Sequence, residues 1–311
     1  MPQYRKIKGL NTLEYQHPFD TQALDTLRKV PGLDKAVKLF NEYGIEKIIK
    51  TQYTGSNIKI TRENYLPTFM LLEYSRQILG ISETPDFYLE RKGWINGFTV
   101  GVKKPTIVLS TFSIDGLKEQ EVMFILGHEL GHIKSEHTLY YQMASYFSMI
   151  GNVLGSFTLG IGEIISKPIE LALLYWSRMS EFTADRAGLL ACQDIDSTMS
   201  VMMKLAGLPR RYYSTINTNS FIQQAKEFEQ IDFSNYDKAI KFLMTVNMSH
   251  PWTVSRALEL IKWYESGQYH AILKRVTQIP ESTEFCGTCG KTFRNKNEPP
   301  FCGQCGKSLT E

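Results

Sequence analysis

Gly127-His128-Glu129-Leu130-Gly131-His132 is the stretch on which the reading of this chain turns. It is an HExxH signature closing a helix-compatible run that begins around Leu117. At 3.6 residues per turn, His128 and His132 project from one face about one turn apart, with Glu129 beside them. That arrangement suits one zinc ion: two imidazoles leave room for a third protein ligand and a water, and the intervening carboxylate can take that water's proton. Ahead of the motif, Val122, Ile125 and Leu126 supply a face to bury, and Gly127 and Gly131 let a neighbouring backbone come close.

The third ligand belongs on a separate element, with a partner to orient a ligating imidazole. Ser180-Glu181-Phe182-Thr183-Ala184-Asp185 supplies both. Four residues apart on a helix, Glu181 and Asp185 face the same way, so Glu181 reaches the metal while Asp185 accepts a hydrogen bond from a ligand histidine. Ala184, Ala187 and Gly188 keep that helix slim where it packs against the HExxH helix. Alone, Glu-x-x-x-Asp describes many solvated helix faces; coupled to HExxH it reads as part of a metal site. His137, one and a half turns past His132, points away from the ligand face of a continued helix and is read as structural.

His128-Glu129-Leu130-Gly131-His132-Ile133-Lys134 with His137, followed by Glu181-Phe182-Thr183-Ala184-Asp185-Arg186-Ala187-Gly188, resembles the HtpX-like and CAAX prenyl endopeptidase group of gluzincin metallopeptidases. The resemblance covers most of residues 18 to 265. It takes in Asn96-Gly97-Phe98 before the helix, Ser249-His250-Pro251 late in the domain, and Arg256 beyond it. It implies a zinc-dependent endopeptidase in which zinc is held by His128, His132 and Glu181. Glu129 then accepts a proton from the zinc-polarised water and later delivers one to the leaving amine. His250 is the residue the resemblance suggests for stabilising the oxyanion, and Asn96 is placed to hold the substrate backbone. The membrane-spanning N-terminal segments of the integral-membrane members do not occur in this sequence, so their membrane substrates are not expected to carry over.

Working outward, 311 residues with 42% apolar and 12% aromatic content support one substantial core plus a small appendage. The expected fold is α+β and mainly helical: a peptidase domain over 1–278 with a helical N-terminal part at 18–81, a linker at 279–284, and a zinc ribbon at 285–308. Within 18–81, Asp20 or Thr21 is a candidate cap for the first helix, Asn57 to Ile60 a short strand, and no chemistry is evident. Residues 86–89, 97–102 and 106–110 read as strands of a small antiparallel sheet beside the HExxH helix. The glycine-punctuated stretch Trp94 to Val102 is an edge onto which a substrate can add as a further strand.

The uncharged run Thr138 to Gly162 reaches the length of a membrane span. With Glu181 beyond it, however, a single crossing would part the ligands, and the return segment Leu171 to Trp176 is too short to span. Buried helices, or a hairpin over 139–176 making peripheral membrane contact, fit better. At the C-terminal end, Cys286-Gly287-Thr288-Cys289 and Cys302-Gly303-Gln304-Cys305 have the spacing of a closed four-thiolate structural zinc site. Reduced thiolates, and an N-terminal stretch with no apolar signal region, favour a cytoplasmic location, with a protein partner one use for the ribbon. A net charge of +3 gives little reason to expect nucleic acid. The rival to a peptidase is a catalytically silent, chaperone-like or scaffold protein that binds polypeptides; Glu129 argues against it, since a binder needs no general base.

Overall fold

The computed structural model of the chain describes residues 5–42, 44–155, 167–230, 250–278, 284–285 and 292–293. Strand β1 (Arg5–Ile7) precedes helix α1 (Pro18–Arg28), whose N-cap is His17: its Nδ1 accepts from the Phe19 N–H at 3.1 Å. Pro18 fits the first turn because a helix leaves that N–H without a partner anyway. The cap therefore falls three residues before Asp20, which is instead fully buried. Helices α2 (Leu33–Glu42) and α3 (Ile45–Ser56) follow, then strand β2 (Ile58–Lys59) and helix α4 (Leu66–Ile78).

Strands β3 (Asp86–Glu90), β4 (Gly97–Val100) and β5 (Thr106–Ser110) join β2 in one sheet of order β2-β3-β5-β4. The sheet is mixed, which corrects the antiparallel expectation: β3 and β5 run parallel, with Tyr88 opposite Val108. β5 inserts between β3 and β4 instead of following them. Its run Thr106-Ile107-Val108-Leu109-Ser110 is buried throughout, which an inner strand requires and an edge strand does not. That leaves β4 on the edge, paired antiparallel to β5 with Thr99 opposite Ile107.

After the short helix α5 (Thr111–Gly116) comes α6 (Glu119–Lys134), which carries HExxH and is buried from Glu121 to His132. Helix α7 (Thr138–Gly155) leads toward α8 (Lys167–Cys192), which carries Glu181 and Asp185. Among the described residues no helix is long and apolar enough to cross a membrane. Helices α9 (Ile195–Leu205), α10 (Thr218–Glu229), α11 (Thr253–Glu265) and α12 (Gln268–Leu273) complete the helical part. Strand β6 (Val276–Gln278) pairs antiparallel with β1, Lys6 opposite Thr277. Strands β7 (Glu284–Phe285) and β8 (Thr292–Phe293) pair with each other, and the four tail cysteines lie outside the described residues.

The contact between α6 and α8 sets the site, and glycine makes it close. A Cβ on Gly127 would stand 2.3 Å from the Ala191 Cβ, and one on Gly131 2.6 Å from the Ala187 Cβ. In return, a Cβ on Gly188 would meet Phe124 at 2.8 Å. The small faces expected on both helices do interlock. Gly127→Ala should therefore destabilise the fold by about 3 kcal/mol, the upper end for overpacking in a core, because its neighbour is the backbone-fixed methyl of Ala191. Urea unfolding measures this; a variant as stable as the parent would show that the helices separate at little cost.

Candidate metal centre

His128, His132 and Glu181 converge, with one ligand atom from each lying within 4.8 Å of the others. The two Nε2 atoms are 3.2 Å apart; His128 Nε2 is 3.5 Å from Glu181 Oε2, and His132 Nε2 is 3.4 Å from Glu181 Oε1. Ligand atoms on a tetrahedral zinc, with bonds of roughly 2.0–2.1 Å, stand about 3.3 Å from one another, so the triangle has the right size. Glu181 is fully buried, and among the described residues neither of its oxygens has a hydrogen-bond donor. A buried carboxylate left that way costs several kcal/mol unless a cation answers it. Two imidazole nitrogens and a carboxylate are also a donor set that zinc favours. The residues present fit the ion.

Each histidine is held from behind. Asp185 Oδ1 lies 2.9 Å from His128 Nδ1, as the four-residue spacing from Glu181 implied. Arg256, on α11, grips the same carboxylate through Nε at 2.7 Å and Nη2 at 2.5 Å, and its Nη1 lies 3.5 Å from Glu181 Oε2. Burial opposes ionisation of Asp185, yet the Arg256 guanidinium holds its carboxyl below the usual range. Arg256→Met should cost about 3–5 kcal/mol, since it leaves a fully buried carboxylate without its counter-charge. Thermal and urea unfolding read this out; no loss would mean that water reaches Asp185 freely.

His137, read from the sequence as structural and turned away from the ligand face, lies outside the donor triangle of His128, His132 and Glu181 but close to it. The helix ends at Lys134, Glu136 takes a left-handed φ of 58°, and the His137 N–H bonds the His132 carbonyl at 2.9 Å. This is the six-to-one bond of a Schellman ending, and it folds His137 back onto the turn it follows. Its Nδ1 stands 3.1 Å from His132 Nδ1, and its Nε2 stands 3.1 Å from Asp20 Oδ2. Continuing the helical wheel past Lys134 misplaces this residue.

Glu129 is buried and faces β4. Thr99 Oγ1 donates to Glu129 Oε2 at 2.7 Å, and a Cβ on Gly97 would approach Glu129 Oε1 to 3.1 Å, so glycine there admits the strand. Burial pushes the Glu129 carboxyl up to about 7, against the opposing pull of His128 and the Thr99 hydroxyl. Beside it opens a cavity of about 120 Å³, whose walls include Asn96, Gly97, Thr99, Tyr141 and His250. Asn96 is held by its main chain: its N–H lies 3.1 Å from Ser113 Oγ, and its carbonyl accepts from Ser110 N at 2.9 Å. The His250 side chain is 44% exposed, with Nε2 3.6 Å from Glu181 Oε2 and 3.5 Å from the Tyr141 hydroxyl.

The model of peptidase family M48 matches residues 61–264. The chain belongs to that family. A curated relative, the plastoglobule-localized metallopeptidase 48, chloroplastic, of Arabidopsis thaliana, is 33% identical over 275 residues, spanning 88% of this chain and 78% of the relative. The protein is thus a metalloprotease, a hydrolase whose substrates are proteins or peptides. The resemblance read from the HExxH and Glu181 stretches stands at the level of the family.

Three residues of this M48 peptidase's centre escape a reading by motif. Asp20 lies in a helix that shows no other polar signal of function, Thr99 is an unremarked strand residue, and Tyr141 sits in an apolar run. The buried side of an amphipathic helix offered one clue: Asp20 shares a face with Ala23 and Leu27, where a carboxylate is out of place without partners.

Proposed function

We propose that the protein is a zinc metalloendopeptidase in which His128, His132 and Glu181 hold the catalytic zinc and Glu129 is the general base. One observation carries this reading: a buried donor triangle, whose carboxylate has no hydrogen-bond donor among the described residues, stands beside a second carboxylate fixed toward an edge strand. When bound, zinc supplies Lewis acidity to the attacking water and the substrate carbonyl. Thr99 occupies Glu129 Oε2, so Oε1 takes the proton and later returns it to the leaving amine.

The edge of β4 that no described strand pairs takes the substrate as an added strand, and Asn96, at its head on the cavity wall, holds the substrate backbone. His250 and the Tyr141 hydroxyl are the donors for the oxyanion. Burial raises the Tyr141 phenol well above its usual range, so it keeps the proton it must offer. The experiment is incubation of zinc-loaded protein, and of its Glu129→Gln variant, with a denatured proteome, followed by mapping of new N-termini. Termini generated by the parent and not by the variant are expected; equal yields remove Glu129 from the base role.

The domain reading extends the same proposal. A peptidase domain over 1–278 is supported by the pairing of β1 with β6, which joins its two ends. A linker at 279–284 leads to a ribbon at 285–308, where Cys286, Cys289, Cys302 and Cys305 hold a second, structural zinc. The antiparallel pairing of β7 with β8 on either side of the first cysteine pair supports it. Four thiolates need a reducing compartment, which keeps the cytoplasmic reading, with 139–176 as the part for peripheral membrane contact and the ribbon for a protein partner.

A further inference from the structure

The hydrogen-bond chain behind His132 decides which nitrogen that residue offers. Asp20 Oδ2 is 3.1 Å from His137 Nε2, and His137 Nδ1 is 3.1 Å from His132 Nδ1. A carboxylate only accepts, so His137 directs its Nε2–H at Asp20. Its Nδ1 is then a lone pair, which takes the hydrogen of His132 Nδ1. His132 is left with a bare Nε2 facing His128 Nε2 at 3.2 Å and Glu181 Oε1 at 3.4 Å. With the polarity reversed, His132 would carry hydrogen on Nε2, where it cannot ligate.

We propose that Asp20 and His137 form a relay that sets the tautomer and orientation of His132, so that α1, which precedes the family segment 61–264, completes the metal centre. The inference rests on the zinc reading of the triad. His128 needs no such relay, because Asp185 takes its Nδ1–H directly at 2.9 Å.

The surroundings of Asp20 suit the role. It is fully buried, and two further donors fix it: Thr183 Oγ1 to Oδ2 at 2.8 Å and Trp176 Nε1 to Oδ1 at 3.1 Å. Both donors are on α8, Thr183 two residues beyond the ligand Glu181. The carboxylate is thus registered against the helix that bears the third ligand, and it transmits that register through His137 to the second. Partners behind a ligating imidazole raise its basicity and hold its ring, and their loss weakens metal binding roughly 10–100-fold.

The test uses the full chain with its six histidines labelled with nitrogen-15 and the protein loaded with zinc. Long-range proton–nitrogen correlations should show hydrogen on Nε2 of His137 and on Nδ1 of His132. Hydrogen on Nδ1 of His137 overturns the relay without recourse to any variant. Cobalt(II) titration then separates the two sites, because thiolate charge-transfer bands mark the cysteines and ligand-field bands without them mark the nitrogen and oxygen donors. If the parent shows no nitrogen and oxygen site, or Glu181→Ala retains it, the metal reading itself falls. With that reading intact, Asp20→Asn should weaken cobalt at this site by about 10–100-fold. Thr183→Val, which removes one donor to Asp20 but leaves the carboxylate facing His137, should weaken cobalt by less than Asp20→Asn does. Unchanged affinity in Asp20→Asn, or equal losses in both variants, would assign Asp20 to packing alone.

Discussion

Glu129→Gln should bind zinc as the parent does, fold at least as well, and lose peptide hydrolysis by about 10²–10⁴-fold, which is the usual share of a positioned acid–base group. In rate terms that is about 3–5.5 kcal/mol of transition-state stabilisation. The stability half of the expectation follows from burial. Glu129 is 4% exposed, and removal from water is the largest influence on its carboxyl, pushing it up to about 7. A neutral amide of the same shape carries no such penalty, and its oxygen can still accept from Thr99 Oγ1, which now bonds Oε2 at 2.7 Å. The metal half follows because Glu129 is not among the three ligand residues. A variant that loses zinc or melts early would mean that Glu129 supports the site; one that keeps the parental rate would end its assignment as the base. Turnover is measured on an unfolded protein substrate, metal content by elemental analysis, and unfolding by calorimetry.

What the sequence made legible follows from how local each signal is. HExxH is local: one helical turn places its side chains, and His128, Glu129 and His132 stand where the period requires. Glu181 and Asp185 were legible for the same reason, and the small residues at Gly127, Gly131, Ala184 and Ala187 announced a close helix pair before any coordinates. The strands were legible as elements but not in their order. Adjacent β-runs suggest adjacent pairing, whereas the unbroken apolar run of β5 meant an inner place between β3 and β4. The pairings that support the site were hidden by distance along the chain. Asp20 and His137 are 117 residues apart and Asp185 and Arg256 71 apart, and no periodicity relates such pairs. His137 was hidden differently, by a left-handed Glu136 that no residue type announced.

Glu181→Ala should abolish zinc at this centre and, with it, the stability that zinc adds to the fold. In the metal-free parent, Glu181 is a fully buried carboxylate whose two oxygens have no hydrogen-bond donor among the described residues. Arg256, 3.5 Å away, is already committed to Asp185 through two shorter bonds, while His128 and His250, at 3.5 and 3.6 Å, hold the Glu181 carboxyl well below its usual range against its burial. Truncation to alanine forfeits the packing of one methylene, about 0.8 kcal/mol, together with the attraction of these neighbours, which outweighs the burial of the carboxylate. Without metal the variant should therefore be less stable than the parent near neutral pH. Zinc widens the gap, because a ligand that binds only the folded state at 1,000 times its Kd adds about 4.1 kcal/mol. The parent gains that increment at this site and the variant does not. The tail cysteines are the same in both proteins, so their contribution cancels in the comparison. Melting curves of both proteins across a zinc titration, with metal stoichiometry at each point, decide the matter. Parallel responses to zinc would remove Glu181 from the ligand set; a variant as stable as the parent without metal would show that burial of this carboxylate cancels what His128 and His250 give it.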